Sequence, residues 1–150
     1  MNEASRIQPD SDLFEAAFPF HFSLNHELRI QHIGRSLLKI LPAAGVGARF
    51  EDCFFVQRPL FPVEFSKLAT SSNILFLLKS NESALLLRGQ FTTCDSGRLV
   101  VFLGSPWVTE PASVQRLGLT FDDFAVHDPI MDMLQVIQAQ QTGLDDVRIL

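Results

Sequence analysis

The stretch Arg98–Pro129, RLVVFLGSPWVTEPASVQRLGLTFDDFAVHDP, holds the clearest strand and the clearest helix start of the sequence. Its first part, Arg98–Leu103, is apolar and comes after a turn signal at Asp95–Gly97, so it predicts a buried central strand. Pro106 ends that strand, because proline cannot donate a backbone hydrogen bond to a sheet. Asp128–Pro129 predicts a new helix, with the aspartate as N-cap and proline in the first turn. A central strand that leads into an exit helix is an arrangement by which a sensor domain acts on a downstream domain.

The composition is that of one globular domain. The chain has 150 residues, 47% of them hydrophobic, with 14 Phe and no Tyr, which suits a core packed with aromatic rings. A net charge of −5 argues against nucleic acid as a partner, because nucleic acids are bound by basic surfaces. The apolar runs are too short to span a membrane, and no signal peptide is visible. Cys53 and Cys94 do not make a disulfide scaffold, so we predict reduced thiols and a cytoplasmic location.

Residues 1–17 predict a polar tip followed by a short dimerisation helix. Asp10 or Ser11 supplies an N-cap, and the helix ends before Pro19 because a residue that precedes proline avoids the helical region. The apolar residues of this segment share one face and have little core of their own: Leu13, Phe14, Ala17 and Phe18. We therefore predict that this face lies in a dimer interface.

Strict alternation of apolar and polar residues predicts a β-hairpin next. Its strands are Phe20–Leu24 and Leu28–Gln31. Two short helices come after it, at Arg35–Leu41 and Val63–Ala69. Between them, the short mixed run Phe50–Val56 gives no clear element.

Three consecutive apolar runs predict the rest of the sheet. Ile74–Leu78, Ala84–Thr93 and Arg98–Leu103 are separated by short polar turns, which indicates an antiparallel meander. The predicted order of elements is β-β-α-α-β-β-β. This is an α+β fold with a five-stranded antiparallel sheet, flanking short helices and a C-terminal signalling helix.

The exit helix carries a seam with the 3-4 spacing of a coiled coil. Its positions are Ile130, Met133, Ile137, Gln140, Leu144 and Val147. We predict that the first three join the dimer interface and that residues 128–150 begin a coiled coil. Leu150 carries no helix-stop signal, so we expect the natural helix to continue into another domain.

No pattern for catalysis or metal binding is evident. The histidines lack a ligand spacing such as HExxH, and there is no Gly-x-Ser-x-Gly elbow. Alternation places His21 on the outer side of the first strand, towards solvent or an interface, and His32 on the apolar side of the second. His127 is interpreted as a hydrogen-bonding residue at the start of the exit helix, not as a base.

Several blocks spread over residues 18–141 resemble one family. They are PFHFSLNHELRIQHIGRSLLKILP, VQRPLFPVEF, LLLRGQF and VVFLGSPWVTEPASVQRLGLTFDDFAVHDPIMDMLQVIQAQ. They are similar to the haem-NO-binding-associated domain, also called HNOBA or H-NOXA, and a match over several spaced blocks is more specific than one short motif. That domain is the PAS-like module between the haem nitric-oxide sensor domain and the output domain of soluble guanylate cyclases. Bacterial relatives occur in signal-transduction histidine kinases.

The resemblance implies a PAS-like domain over residues 18–127 that carries out no chemistry. It implies a homodimer, or a heterodimer with a paralogous domain. The dimer would relay a signal from a haem nitric-oxide sensor partner to a C-terminal output domain, a histidine kinase or a nucleotide cyclase. Two alternatives stay open: a PAS sensor that binds a small apolar ligand or cofactor in its own pocket, and a stand-alone enzyme.

No cofactor is predicted, and the phenylalanines predict a core before they predict a pocket. Haem-binding PAS domains take an axial histidine from the helix before the meander, and Val63–Asn73 holds none. Asp52–Gln57 departs at two positions from the Asn-Cys-Arg-Phe-Leu-Gln block of flavin photosensor domains. If a pocket exists, we expect these residues to line it: Phe22, Phe54, Phe65, Phe76, Phe91 and Phe102.

Overall fold

The computed structural model describes the backbone of residues 10–149 and the side chains of residues 10–140. Its strands are β1 Phe22–Leu24, β2 Ile30–Ile33, β3 Phe54–Arg58, β4 Phe76–Ser80, β5 Leu86–Cys94 and β6 Leu99–Pro106. Its α-helices are α1 Ser11–Ala17, α2 Arg35–Ile40, α3 Phe50–Cys53, α4 Phe65–Ala69, α5 Pro111–Arg116 and α6 Ile130–Ile149. Single 3₁₀ turns lie at Pro42–Ala44 and Phe121–Asp123.

The strands form one antiparallel sheet in the order β2-β1-β6-β5-β4-β3. β6 lies inside the sheet and pairs with β1 on one side and β5 on the other, so that Phe102 lies opposite both Phe22 and Phe91. This confirms that the run beginning at Arg98 supplies a central strand. The α+β class and the antiparallel meander of β4, β5 and β6 are confirmed as well.

The sheet has six strands, not the predicted five. The additional strand is β3, which pairs with β4 through Phe54 opposite Ser80 and Val56 opposite Leu78. It comes directly after α3, which is a single turn, and Pro59 stands immediately after it. β3 has only five residues, which is too few to show a clear alternating pattern between α3 and Pro59. The sequence therefore did not reveal this strand. The order of elements therefore contains an additional strand and helix before the meander.

A β-bulge decides which side chains of β2 face the core. The pairing shifts between Ser23 and Leu24 of β1, so that Ser23 lies opposite His32 and Leu24 lies opposite Ile30. Gln31 is the extra residue of the bulge. Opposite residues point to the same face, and accordingly Ile30 is fully buried while His32 is not. The prediction that His32 lies on the apolar face was wrong because it assumed unbroken alternation.

Phenylalanine rings fill the space on the inner face of the sheet. The ring centroid of Phe22 lies 5.2 Å from those of Phe54 and Phe102 in stacked arrangements, and 6.2 Å from that of Phe91, which meets it edge-on. Buried side chains of the helices belong to the same core cluster as these rings: Leu37, Phe50, Leu68, Val114, Ile130 and Leu134. Each large apolar side chain contributes about 1.5–3 kcal/mol when fully buried, so this cluster is a main source of stability.

Two facing glycines allow the Phe102 ring to approach the backbone of β5 and β6. Gly89 and Gly104 lie opposite each other across the two strands. A Cβ atom on Gly104 would lie 2.6 Å from Cε1 of Phe102, and one on Gly89 would lie 2.8 Å from its Cζ. Both distances are shorter than van der Waals contact, so a larger residue at either position would displace the ring.

α6 is the longest helix, and its first turns belong to the domain. The side chains of Ile130 and Leu134 are buried in the core, while Met133 on the next position of the seam is 40% exposed. Neither α6 nor any other helix within residues 10–149 combines the length and the apolar character that crossing a lipid bilayer requires.

Candidate functional site

The N-terminal helix α1 contacts the outer face of the sheet, the face opposite the phenylalanine cluster. Asp10 Oδ1 accepts a hydrogen bond from the Leu13 N–H at 3.0 Å, so Asp10 is the N-cap of the two predicted candidates. No residue of α1 is buried. Individual contacts hold the helix to the rest of the domain. In one of them, Glu15 Oε2 accepts a hydrogen bond from the Arg35 N–H at 3.1 Å. Its position therefore depends on a small number of contacts.

The end of α1, the end of β6 and the start of α6 meet at one place, which we call the helix junction. It consists of Ala17, Phe18, Ser105, His127 and Asp128. His127 Nε2 donates to the Ala17 carbonyl oxygen at 2.9 Å, and the Phe18 ring meets the His127 ring edge-on at 6.2 Å. Ser105 Oγ donates to Asp128 Oδ2 at 2.6 Å. The junction thus connects both terminal helices to the central strand.

Asp128 has two functions within the helix junction. While Oδ2 accepts the Ser105 hydroxyl, Oδ1 accepts the Ile130 N–H at 3.0 Å, which satisfies a backbone donor at the start of α6. The Asp128 side chain therefore bonds both β6 and the first turn of α6. His127 hydrogen-bonds at the start of the exit helix, as the sequence predicted, and its partner is the N-terminal helix.

An apolar groove lies beside the helix junction, and we call it the outer groove. Its volume is about 340 Å³. Several of its walls are large apolar side chains that remain partly exposed: Leu75, Trp107 and Met133 are 54%, 42% and 40% exposed. Arg88 lies over the Trp107 ring, with its Cζ 5.4 Å from the ring centroid. Exposed apolar surface of this kind is typical of a protein–protein contact.

The residues predicted for a dimer interface divide into three groups. Leu13 is 45% exposed, and Met133 is exposed to a similar extent. Phe14, Ala17, Phe18 and Ile137 are half-buried. Ile130 is only 6% exposed and belongs to the core, so the assignment of this residue to an exposed seam is corrected.

The buried stripe of α6 includes Leu134, which the sequence analysis did not select. Ile130 and Leu134 are four residues apart and both are buried, so the first turn of α6 uses the i, i+4 positions that lie on one helix face. The predicted 3-4 seam instead groups Ile130 with Met133 as parts of a dimer interface. The core-facing stripe could have been found by asking which apolar residues of α6 pack on the domain itself.

The residues considered for a ligand pocket form the core. Phe22, Phe54, Phe76, Phe91 and Phe102 are at most 1% exposed and contact one another through their rings. Phe65 lies at the edge of this region and stacks on His26, with centroids 3.8 Å apart. The space among the central rings is therefore filled by side chains of the chain itself.

The four histidines have separate environments. His21 lies on the outer side of β1 as predicted, but α1 covers it and leaves it only 5% exposed. His26 stacks on α4, His32 hydrogen-bonds Ser23, and His127 belongs to the helix junction. Among the side chains of residues 10–140, no three His, Cys, Asp or Glu come together as metal ligands would.

An ion pair attaches α2 to the segment that precedes α6. Lys39 Nζ donates to Asp123 Oδ2 at 2.7 Å, and the Thr120 N–H donates to the same oxygen at 2.8 Å. Burial by itself would raise the pKa of Asp123, but the hydrogen bonds and the charge of Lys39 outweigh it and lower this pKa. Asp123 is therefore ionised at neutral pH and holds the two segments together.

Both cysteines are free thiols. Burial is the main cause that raises the pKa of Cys53 and of Cys94. Protonated thiols are poor nucleophiles. Neither cysteine therefore has the character of a reactive site at neutral pH.

Comparison with known proteins gives consistent matches. The family described as "Heme NO binding associated" matches residues 7–85 and 80–148. Guanylate cyclase soluble subunit alpha-1 of Rattus norvegicus is 27% identical over 145 residues, which cover 89% of this chain and 21% of that protein. Soluble guanylate cyclase gcy-31 of Caenorhabditis elegans is 24% identical over 172 residues, covering 93% and 24% of the two chains. Guanylate cyclase soluble subunit beta-2 of Rattus norvegicus is 26% identical over 152 residues, covering 93% and 22%.

These matches extend over nearly the whole sequence. The chain spans between a fifth and a quarter of the length of these three relatives. The two family matches meet at residues 80–85 and together run from residue 7 to residue 148. The chain belongs to the Heme NO binding associated (HNOBA) family.

Proposed function

We propose that the chain is a non-catalytic signalling and dimerisation module. The single observation that supports it most is the helix junction, in which one cluster of hydrogen bonds joins α1, β6 and α6. A sensor that pairs through its terminal helices needs such a connection, because movement at one helix must reach the other. The membership of the HNOBA family supports a role in signalling associated with haem and nitric oxide.

The fold that we propose is PAS-like with one strand added. The order of a hairpin, short helices and a three-stranded meander agrees with this interpretation, with β1, β2 and the meander β4–β6 as the PAS-like strands. β3 then extends the sheet beyond β4. In this proposal residues 1–17 form the dimerisation segment, residues 18–127 the domain and residues 128–150 the start of the signalling helix.

The partner that we propose is a second copy of this chain or a paralogous domain. The exposed side chains of α1 and the outer groove would be covered in such a pair, which contributes about 25 cal/mol for each Å² of apolar surface removed from water. The relatives include subunits named alpha and beta. These names support a paralogous domain as the alternative to a second copy of this chain. A change in the pose of two paired α6 helices would be the output, since packed interfaces switch between discrete arrangements.

The input would come from a haem nitric-oxide sensor domain or protein, and the output domain would be a histidine kinase or a nucleotide cyclase. The family name supports the first part, and the names of the guanylate cyclase relatives support a cyclase as one form of the second. No specific observation favours the alternative of a receptor with a ligand among the central phenylalanines.

Oligomeric state tests the proposal directly. We expect sedimentation velocity at tens of micromolar to show a dimer, and the double variant Leu13→Asp with Met133→Asp to be a monomer, because both side chains are exposed and would bring charge into the interface. Phe121→Asp is the matched control, since Phe121 is an exposed aromatic residue in the 3₁₀ turn before α6. A wild-type chain that stays monomeric at these concentrations would contradict the proposal, as would a double variant that still dimerises.

A further inference from the structure

A second cavity lies on the outer face of the sheet and is lined by residues of α1, β1 and β2. This outer cleft has a volume of about 550 Å³, within the range of small-molecule sites in proteins. Side chains of α1, of β1 and β2, and of the adjoining edge of β6 surround it. Its walls are mainly apolar: Phe14, Ile33, Leu38, Leu99 and Val101.

The carboxylates at the outer cleft already have hydrogen-bond partners within the chain. Asp10 accepts the Leu13 N–H as the N-cap of α1, and Glu15 accepts the Arg35 N–H. The Ser23 hydroxyl and His32 Nδ1 are 3.0 Å apart and bond each other. These groups fix the shape of the cleft. Arg35 Nε lies 3.8 Å from Glu15 Oε2 and offsets its charge, so among the described residues Asp10 is the carboxylate at the cleft that has no ion-pair partner.

His21 differs from His32, because His32 is exposed whereas His21 is buried and lines the cleft with one ring nitrogen that has no partner among the described residues. Nδ1 lies 2.8 Å from the Phe18 carbonyl oxygen, and a carbonyl can only accept, so Nδ1 carries the proton. Nε2 makes no hydrogen bond to the residues that the structure describes. Those residues contain no fully buried side-chain nitrogen or oxygen that lacks a partner. Nε2 therefore keeps some accessible surface, and His21 is one of the residues that line the cleft, although the residue as a whole is only 5% exposed.

The protonation state of His21 makes Nε2 an acceptor. Burial is the largest influence and lowers the pKa of His21, with His32 acting in the same direction and the Phe18 carbonyl and Glu15 acting against it. The net direction is downward, so the ring is neutral at pH 7. With the proton on Nδ1, Nε2 carries a lone pair, and a buried acceptor gains from a donor that occupies the cleft.

We propose that the outer cleft binds a small neutral aromatic alcohol whose hydroxyl group donates a hydrogen bond to His21 Nε2. The apolar walls suit the aromatic body, the lone pair selects a hydroxyl donor, and the nearby Asp10 disfavours an anion. α1 forms one wall of the cleft, so an occupant stabilises α1 in its position on the sheet. Phe14 in that wall also belongs to the predicted dimer interface, but the ligand site does not need the dimer to form.

Calorimetric titration with 2-naphthol tests the proposal, with 2-methoxynaphthalene as the matched probe. The two share an aromatic body, and only the first has a hydroxyl donor. We expect saturable binding of 2-naphthol and at least about tenfold weaker binding of 2-methoxynaphthalene, which corresponds to one lost hydrogen bond. The anion 2-naphthoate is expected to bind more weakly than 2-naphthol as well.

Two variants locate the site. His21→Phe keeps an aromatic ring but removes the acceptor, and we expect it to bind 2-naphthol about tenfold more weakly. Since this variant also removes the bond to Phe18, Leu38→Trp provides an independent test. Leu38 is 39% exposed at the edge of the cleft, so a larger side chain there blocks the cavity without entering the core. Phe121→Trp, outside the cleft, is the control and is expected to bind normally.

Several outcomes would overturn the proposal. They are the absence of saturable 2-naphthol binding, equal binding of the two matched probes, and binding that neither His21→Phe nor Leu38→Trp weakens. Binding that is lost as the protein dimerises would also overturn it, because a partner copy would then fill the cleft. Sedimentation is measured separately, so the dimer and the ligand site can fail independently.

Discussion

The two faces of the sheet differ in where their apolar side chains find partners. On the inner face, Phe22 and Phe102 are fully buried and contact other rings of the same chain. On the outer face, Leu75 and Trp107 keep about half of their surface in contact with solvent, at 54% and 42% exposure. A residue of the inner face therefore acts on stability, whereas a residue of the outer face is available to another molecule. Large apolar side chains thus pack within the chain on the inner face and stay partly exposed on the outer face.

The largest effect is expected from opening a cavity on the inner face. Phe22→Ala removes the ring that stacks on Phe54 and Phe102, and such truncations destabilise a domain by about 3–5 kcal/mol. Equilibrium unfolding in urea measures the difference in the free energy of unfolding.

Trp107→Ala is the matched outer-face variant for this measurement. Trp107 is 42% exposed and its ring contacts Arg88, so we expect a loss of about 1 kcal/mol or less for the monomer. The measurement is made at a protein concentration below that of dimerisation. If both variants lost similar stability, the distinction between the two faces would not hold.

An intermediate effect is expected at the helix junction, which attaches both terminal helices to β6. Asp128→Ala removes the acceptor for both the Ser105 hydroxyl and the Ile130 N–H, and loss of such a capping side chain costs about 0.5–2 kcal/mol. Hydrogen–deuterium exchange should become faster in the first turn of α6 and also in α1, which His127 attaches to the same place.

Asp122→Ala, at an exposed aspartate in the preceding 3₁₀ turn, is the control and should leave both helices unchanged. Faster exchange in α6 alone would show that α1 is not coupled to the exit helix, and would weaken the proposed function.

The smallest effect concerns the ion pair between Lys39 and Asp123. The pKa of Asp123 is lowered in the folded chain, so the pair contributes stability above the ordinary aspartate pKa of about 3.9. That contribution is lost as the pH falls through the lower pKa of the folded state. Lys39 is 47% exposed, and solvent screening limits the effect to about 1 kcal/mol or less.

Urea unfolding of wild type and Lys39→Met from pH 7 to pH 3 measures this contribution. The difference in the free energy of unfolding should be constant down to about pH 5 and should shrink below about pH 4. Lys67→Met, at an exposed lysine of α4, should give a difference that does not vary with pH. A Lys39 difference that is as large at pH 3 as at pH 7 would rule out Asp123 as its source.

The sequence predicted the parts of the fold that have long or strictly repeated patterns. Arg98–Leu103 is a continuous apolar run between turn signals, and it supplies the central strand β6. Asp128 was predicted as a helix cap, and its Oδ1 accepts the Ile130 N–H. In both cases the signal is local, because turn and cap chemistry depends on neighbouring residues.

The features that the sequence missed depend on tertiary contacts. β3 is too short to show a pattern and becomes a strand by pairing with β4. His32 changes face because of a bulge that is visible only in the pairing of β1 with β2. The covering of His21 by α1, which creates the outer cleft, depends on where a separate helix is attached. Residue types alone do not determine any of these three.

The hydrogen bond between His127 and Ala17 has a mechanical consequence. It connects residues 110 positions apart in the chain, and it lies where the backbone enters the domain from α1 and leaves it into α6. A force that pulls the two terminal helices apart therefore acts on this bond directly, together with the Ser105–Asp128 bond that attaches α6 to β6.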